Sequence, residues 1–325
     1  MRRWIMSRQL SLFDDAPSRA KPEIALHQEL HPIPVNKDAP GTTLADVVPE
    51  DALLALNRSY PIRATHVSRI LRLVEDRRSE REPIKRDDIA EELSISWARV
   101  QGTINVMRRC ELLKPKNAPT PLGSIVYAFS PHVDDARLLW LLHFLIASDA
   151  NLVLWSHLFN QVLLGVGEIS VVDVTPDFSA LSGKWSESTL KDKVPKEIGG
   201  ILRTYAEEMF VPLGVVAKRD VGTYDVFSNT AIIPPLIWLA CLLVYRDRYY
   251  PGVPSLEVSL IVDGNFSPGR ILRQREAAAR RALDELHDAD MLTVEARSGL
   301  DQVRFKRDVT WLGAVSRYLE DQTSP

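Results

Sequence analysis

Apolar side chains begin to recur with a helical period soon after Leu53. Val67, Ile70, Leu71 and Leu73-Val74 mark one face of a first helix, and Ile84 with Arg86–Leu93 marks a short second one. Ser94-Ile95-Ser96 reads as a turn carrying an N-cap, and a longer helix is expected from Trp97 to about Leu112. On its wheel Val100, Thr103, Ile104, Met107 and Cys110 share one arc, while Gln101, Gly102, Asn105, Arg108 and Arg109 share the other. Lys114-Pro115-Lys116-Asn117 ends it. A short helix, a turn and a longer helix with a basic outer arc predict a helix-turn-helix.

Two apolar helices follow between residues 133 and 166, broken near Ser148–Asn151. Ser186 then caps a helix through Lys191 and Lys193, which Pro195 should kink or restart at Lys196. Two β-prone runs, Leu213–Lys218 and Thr223–Phe227, flank an Asp220/Gly222 turn and predict a hairpin. The pattern returns a third time. Leu256–Val262 is short and apolar, Ser267-Pro268-Gly269 opens a helix running to about Asp288, and Leu292–Ala296 with Gln302–Lys306 form a hairpin. The fold class expected is mainly α (α+β), with tandem winged-helix units around a helical centre. The boundaries are a Pro-rich tail (1–50), a winged-helix-like unit (51–130), a helical linker core (131–168), a second such unit (169–230), a third (231–315) and a short tail (316–325).

Composition is ordinary for a globular chain: 45% apolar and 26% charged, with a net charge of −3. This argues against a binder that relies on bulk positive charge, but not against a local basic face. Such a face is best placed in the first unit, where Arg58–Lys116 holds fourteen Lys/Arg against nine Asp/Glu. Arg99, Arg108, Arg109, Lys114 and Lys116 are positioned for phosphates, and Gln101 and Asn105 for base edges. Lys184, Lys191 and Lys193 in the second unit and Arg270 and Arg273 in the third extend the candidate DNA-binding set. The competing reading of the Trp97–Leu112 helix is a solvated face.

Two cysteines far apart in sequence, Cys110 and Cys241, imply no disulfide framework and cannot build a Cys-based zinc site. The start has no signal-peptide pattern, and the longest apolar run, Ala231–Tyr245, is too short for a membrane helix, so a cytoplasmic protein without a membrane partner is expected. His143 and His157 stand at neither i,i+3 nor i,i+4 and read as packed or hydrogen-bonded. No lysine follows an acid by two residues, and no phosphate loop, Rossmann fingerprint or serine-nucleophile motif occurs. Asp87-Asp88 and Asp134-Asp135 are the adjacent carboxylates considered for Mg²⁺. No cofactor is required for the fold, and no metal site or catalytic residue is identified.

Several short segments carry a family resemblance. Thr120-Pro121-Leu122-Gly123, Leu138–His143, Trp155–Asn160, Ser186–Leu190, Leu202–Tyr205 and Ser267–Arg270 occur in an order that resembles the SspB-type family. This is a bacterial family of domains of unknown function associated with DNA phosphorothioation operons, and the likeness runs over about residues 55–315. It implies a DNA-acting, DNA-nicking component of an antiphage modification system. The implied partners are a cysteine desulfurase, a PAPS-reductase-like enzyme and an ATPase, with Mg²⁺ or Mn²⁺ serving any nicking. It supplies no catalytic motif to carry over, and Pro195 departs from the uninterrupted helix expected after Ser186–Leu190. The alternative is a non-catalytic winged-helix adaptor or transcription regulator.

In the tail, Gln9-Leu10-Ser11-Leu12-Phe13 resembles the peptide with which bacterial DNA enzymes dock on the replicative sliding clamp. Leu10, Leu12 and Phe13 would fill apolar pockets, Gln9 would fix register, and the Pro-rich residues to Pro49 would act as a tether. The competing reading is a period-two edge strand on the protein's own surface.

Overall fold

The computed structural model describes residues 48–78, 84–229, 231–297 and 300–323. The clamp-like segment Gln9–Phe13 lies outside them. Helices α1 (Ala64–Asp76), α2 (Arg86–Leu93) and α3 (Trp97–Arg109) form where the periodicity predicts them. Ser94 takes a left-handed C-cap conformation and Ser96 the N-cap of α3, so three residues turn the chain between the helices. Beyond α3, Leu113 and Pro119 make a single antiparallel bridge, and α4 (Pro121–Phe129) follows with Thr120 capping Gly123 N. No hairpin occurs here among the described residues. Asn117, at φ 61°, instead turns its amide inward to donate to Ile84 O (2.7 Å), closing the segment as a tight turn.

The centre is built from helices apolar on every side, the mark of burial from all directions. In α5 (Ala136–Ala147), capped by Asp135, every residue from Leu138 onward is buried. Helix α6 (Val153–His157) continues into a wider turn, Leu158–Val162, with i→i+5 hydrogen bonding. Two later helices complete the arrangement: α7 (Glu187–Ala206) packs on α6, and α8 (Pro235–Tyr249), buried from Ile237 to Tyr245, packs on α5.

Among the described residues, two small antiparallel sheets share one plan. In the first, β1 (Glu168–Ser170) leads through short helical turns into α7, then the hairpin β2 (Val216–Asp220) and β3 (Thr223–Val226), with β3 central. After α8, β4 (Ser255–Glu257) leads through the short helices Val258–Asp263 and Pro268–Ile271 into α9 (Glu276–Asp288). The hairpin β5 (Leu292–Arg297) and β6 (Leu300–Phe305) follows, with β6 central. Helix α10 (Trp311–Thr323) then packs on α8. The architecture is mixed, α+β, and no helix among the described residues is long and apolar enough to cross a membrane.

Two elements depart from the sequence pattern. Pro195 neither stops nor restarts α7, which runs unbroken over Glu187–Ala206. Proline removes the bond to the carbonyl of Lys191, and Lys191 is exposed, so water can satisfy that oxygen. Conversely, Ser267 caps only the short helix Pro268–Ile271, and Arg273, at φ 54°, breaks the path before α9 begins.

Candidate nucleic-acid interface

The surface of the first unit is organised by the segment Leu54–Ile62, which lies between α3 and α7. Asn57 O accepts from Tyr60 N (3.1 Å), and the two central residues, Arg58 and Ser59, have φ of 54° and 65°. Positive φ at two residues other than glycine is a strained turn that its surroundings must hold. The buried Glu197 of α7 holds it. One carboxylate oxygen accepts from Leu56 N (2.6 Å) and Asn57 N (2.8 Å), and the other from Ser59 N (2.6 Å). Burial pushes the Glu197 carboxyl above its ordinary value, against the lowering effect of these three bonds. Glycines make room on both sides. A Cβ on Gly102 would stand 2.6 Å from Asn57 O, and one on Gly200 would stand 2.8 Å from Asn57 Nδ2.

With its amides turned inward, the segment carries Arg58 and Tyr60 along the start of α3. The Arg58 guanidinium lies 5.1 Å from the ring centre of Trp97, and the Arg99 guanidinium lies 5.3 Å from that of Tyr60. Both rings are exposed, Trp97 at 44% and Tyr60 at 37%. An exposed guanidinium–ring contact is worth about 0.5–1 kcal/mol. Neither Arg58 nor Arg99 pairs with a carboxylate among the described residues, whereas the neighbouring Arg63 pairs with Glu208 (3.0 Å). The positive field reaches His66, whose pKa is lowered by partial burial and by Arg63, Arg99 and Arg69.

Of the residues singled out in sequence, only Arg99 joins this ladder of rings and guanidiniums. Gln101 borders it, accepting from Arg58 (2.7 Å), while Asn105 donates to Leu56 O (3.3 Å). Gly102 is not on an open arc but beneath Asn57. Arg108 donates to Asn117 Oδ1 (2.8 Å), and Arg109 pairs with Asp149 (3.2 Å). Lys114 and Lys116 are exposed on the turn after α3. Lys184 donates to Pro49 O, exposed Lys191 stands 3.9 Å from Glu187, and exposed Lys193 lies two residues further along α7. Arg270 and Arg273 tie the third unit to the centre: Arg270 reaches Asn160 O (3.3 Å) and Asn265 Oδ1 (2.7 Å), and Arg273 reaches Leu163 O (2.6 Å) and Phe227 O (3.1 Å). Arg58, Tyr60 and Trp97 were not singled out for this role in sequence. Their available signal is an Arg-x-Tyr and a Trp-x-Arg alternation, which only the fold aligns.

The adjacent carboxylates do not fit a metal site. Asp88 accepts from Lys85 N (3.2 Å) at the start of α2. Asp135 caps α5 and pairs with Arg137 (2.6 Å); although burial pushes its carboxyl up, the Arg137 bonds hold it below the ordinary value. Among the described residues no three His, Cys, Asp or Glu side chains come together as a group able to hold a metal ion.

A family described as a protein of unknown function (DUF4007) matches residues 96–319. Two solved structures are similar. "Magnesium ion-bound SspB crystal structure" has a TM-score of 0.69 at 17% identity, covering 87% of this chain and 92% of that one. "SspB crystal structure" has a TM-score of 0.67 at 17% identity, covering 84% and 89%. No curated protein matches the sequence.

Proposed function

For a chain that belongs to the DUF4007 family, we propose a role as the DNA-binding component of an SspB-like phosphorothioate modification system. The single observation that carries DNA binding is the set of Arg58, Arg99, Trp97 and Tyr60 on the first unit, whose two guanidiniums lie over the two rings and pair with no carboxylate among the described residues. The shared plan of the two sheets supports the winged-helix reading of the second and third units, with the hairpins as wings. The SspB-like fold supports the link to phosphorothioation and to its cysteine desulfurase, PAPS-reductase-like and ATPase partners. Replacing Arg58 and Arg99 together with Ala should weaken binding and reduce the salt slope by about one for each phosphate deprived of its arginine. Unchanged affinity and salt dependence in a titration series would exclude this face.

Nicking of one strand is the finer activity that the resemblance implies. Supercoiled plasmid incubated with and without Mg²⁺ or Mn²⁺ separates a nickase from a non-catalytic adaptor or regulator. Nicking that persists in excess EDTA would point to a Tyr or Ser nucleophile instead.

The tail adds a recruitment role through Gln9, Leu10, Leu12 and Phe13, which would dock on the sliding clamp and bring the protein to newly replicated DNA. Calorimetry with purified clamp should show binding of roughly micromolar strength, as expected for a short linear peptide. Leu12→Ala with Phe13→Ala should abolish that heat and leave DNA binding intact. Equal clamp binding by both proteins, or none by either, ends the clamp hypothesis.

A further inference from the structure

We infer that the Trp97–Tyr60 face takes unpaired DNA, its two rings stacking on bases while Arg58 and Arg99 move onto the phosphates. The inference rests on the DNA-binding reading and names its substrate. A paired base inside a duplex has both faces covered by its neighbours and offers only its edges. An aromatic face on a protein surface therefore gains little from a duplex and much from a splayed strand. The side chains suited to duplex edges, Gln101 and Asn105, already have protein partners, Arg58 and Leu56 O. What remains outward is two half-exposed rings, each covered by one guanidinium that no carboxylate holds among the described residues.

A base–ring stack is stronger than an exposed guanidinium–ring contact, so a base can displace the arginine, and the released cation lies beside the strand's own phosphates. The turn that presents Arg58 and Tyr60 is pinned at three amides by Glu197, so little ordering remains to oppose binding.

The test is fluorescence anisotropy of the full chain with three labelled DNAs: a single strand, the same strand built from abasic residues, and a blunt duplex. Trp97→Ala should weaken binding of the intact strand roughly ten-fold and leave the abasic strand unaffected, because the abasic strand keeps its phosphates and lacks bases to stack. Tyr60→Ala should behave alike, and Trp97→Phe should restore most of the affinity, with thermal melting unchanged in all three variants. An equal weakening on intact and abasic strands, or tight binding of duplex alone, would overturn the stacking assignment and leave the DNA-binding reading standing. Binding of none of the three DNAs would overturn both.

Discussion

Glu197→Ala should lower the free energy of unfolding by roughly 3 kcal/mol, since each buried donor left without a partner costs about 1–3 kcal/mol. Three backbone amides, those of Leu56, Asn57 and Ser59, depend on this one carboxylate. The Ser59 site is only partly buried, so water relieves part of the cost there. Glu197→Gln should cost less. Its carbonyl can still accept from Leu56 and Asn57, while its amide group meets the Ser59 N–H as a second donor. Chemical denaturation read by far-ultraviolet circular dichroism checks the order wild type, Gln, Ala. A decrease in the Ala variant no larger than about 0.5 kcal/mol, the range of an ordinary surface substitution, would show that the turn holds without the carboxylate. The same variant should also bind DNA more weakly, although Glu197 is buried and carries the wrong charge to meet a phosphate. Released from their clamp, Arg58 and Ser59 would leave their strained φ, and Arg58 and Tyr60 would no longer be aligned with Trp97 and Arg99.

This coupling explains why the elements of the first unit are legible in sequence and its surface is not. Periodicity places α1, α2 and α3 because burial of Val67, Ile70, Val100 and Met107 depends only on which face of a helix meets the core. The two hairpins are legible for the same local reason, alternating residues flanking turns. A wheel does not show what lies over the other face. On α3 it sorts Gln101, Gly102 and Asn105 as an open polar arc, whereas a segment more than forty residues earlier in the chain lies against them. Arg270 and Arg273 read as surface cations in sequence, yet their guanidiniums satisfy carbonyls of the turn after α6, a partner more than a hundred residues away. Glu197 carries no sequence signal at all. It follows Lys196 on a helix rich in charge, and only the approach of Leu56–Ser59 makes it internal. The side chains that form the candidate interface are therefore those whose roles depend on long-range packing.

Between pH 7 and pH 4 the wild-type protein should lose about 3 kcal/mol more stability than the His143→Gln variant, as a pKa shift of this size requires. His143 is buried within α5 among Trp140, Phe159, Tyr205 and Phe210. Nε2 faces Ile271 O (3.0 Å), so it carries the proton and donates, and Nδ1 accepts from the Tyr205 hydroxyl (2.6 Å). Both nitrogens of the neutral ring are thus satisfied. Burial, helped by Arg273, pulls its pKa down to about 4, with the Ile271 bond opposing. The sign follows from the shift. An unfolded histidine takes up a proton below about pH 6.5 while the folded one does not until about pH 4, so this contribution is whole above the unfolded value. It falls progressively as the pH drops from about 6.5 and is gone below the folded value. Roughly two and a half pH units at about 1.4 kcal/mol each give about 3.5 kcal/mol in full, of which about 3 kcal/mol is lost by pH 4, where the folded ring is half protonated. The glutamine of the variant does not titrate, and its amide offers a donor and an acceptor to the same two partners, so subtracting the two pH profiles removes the carboxylates common to both. Protonation falls on Nδ1, where the Tyr205 hydroxyl then meets a second donor, so the disturbance should begin at the contact of α5 with α7. Hydrogen exchange at pH 5 should accordingly be faster in residues 202–206 of the wild type than of the variant. Parallel stability profiles from pH 7 to 4 would mean that the folded protein accepts the imidazolium at no cost, and the buried neutral assignment of His143 would fall.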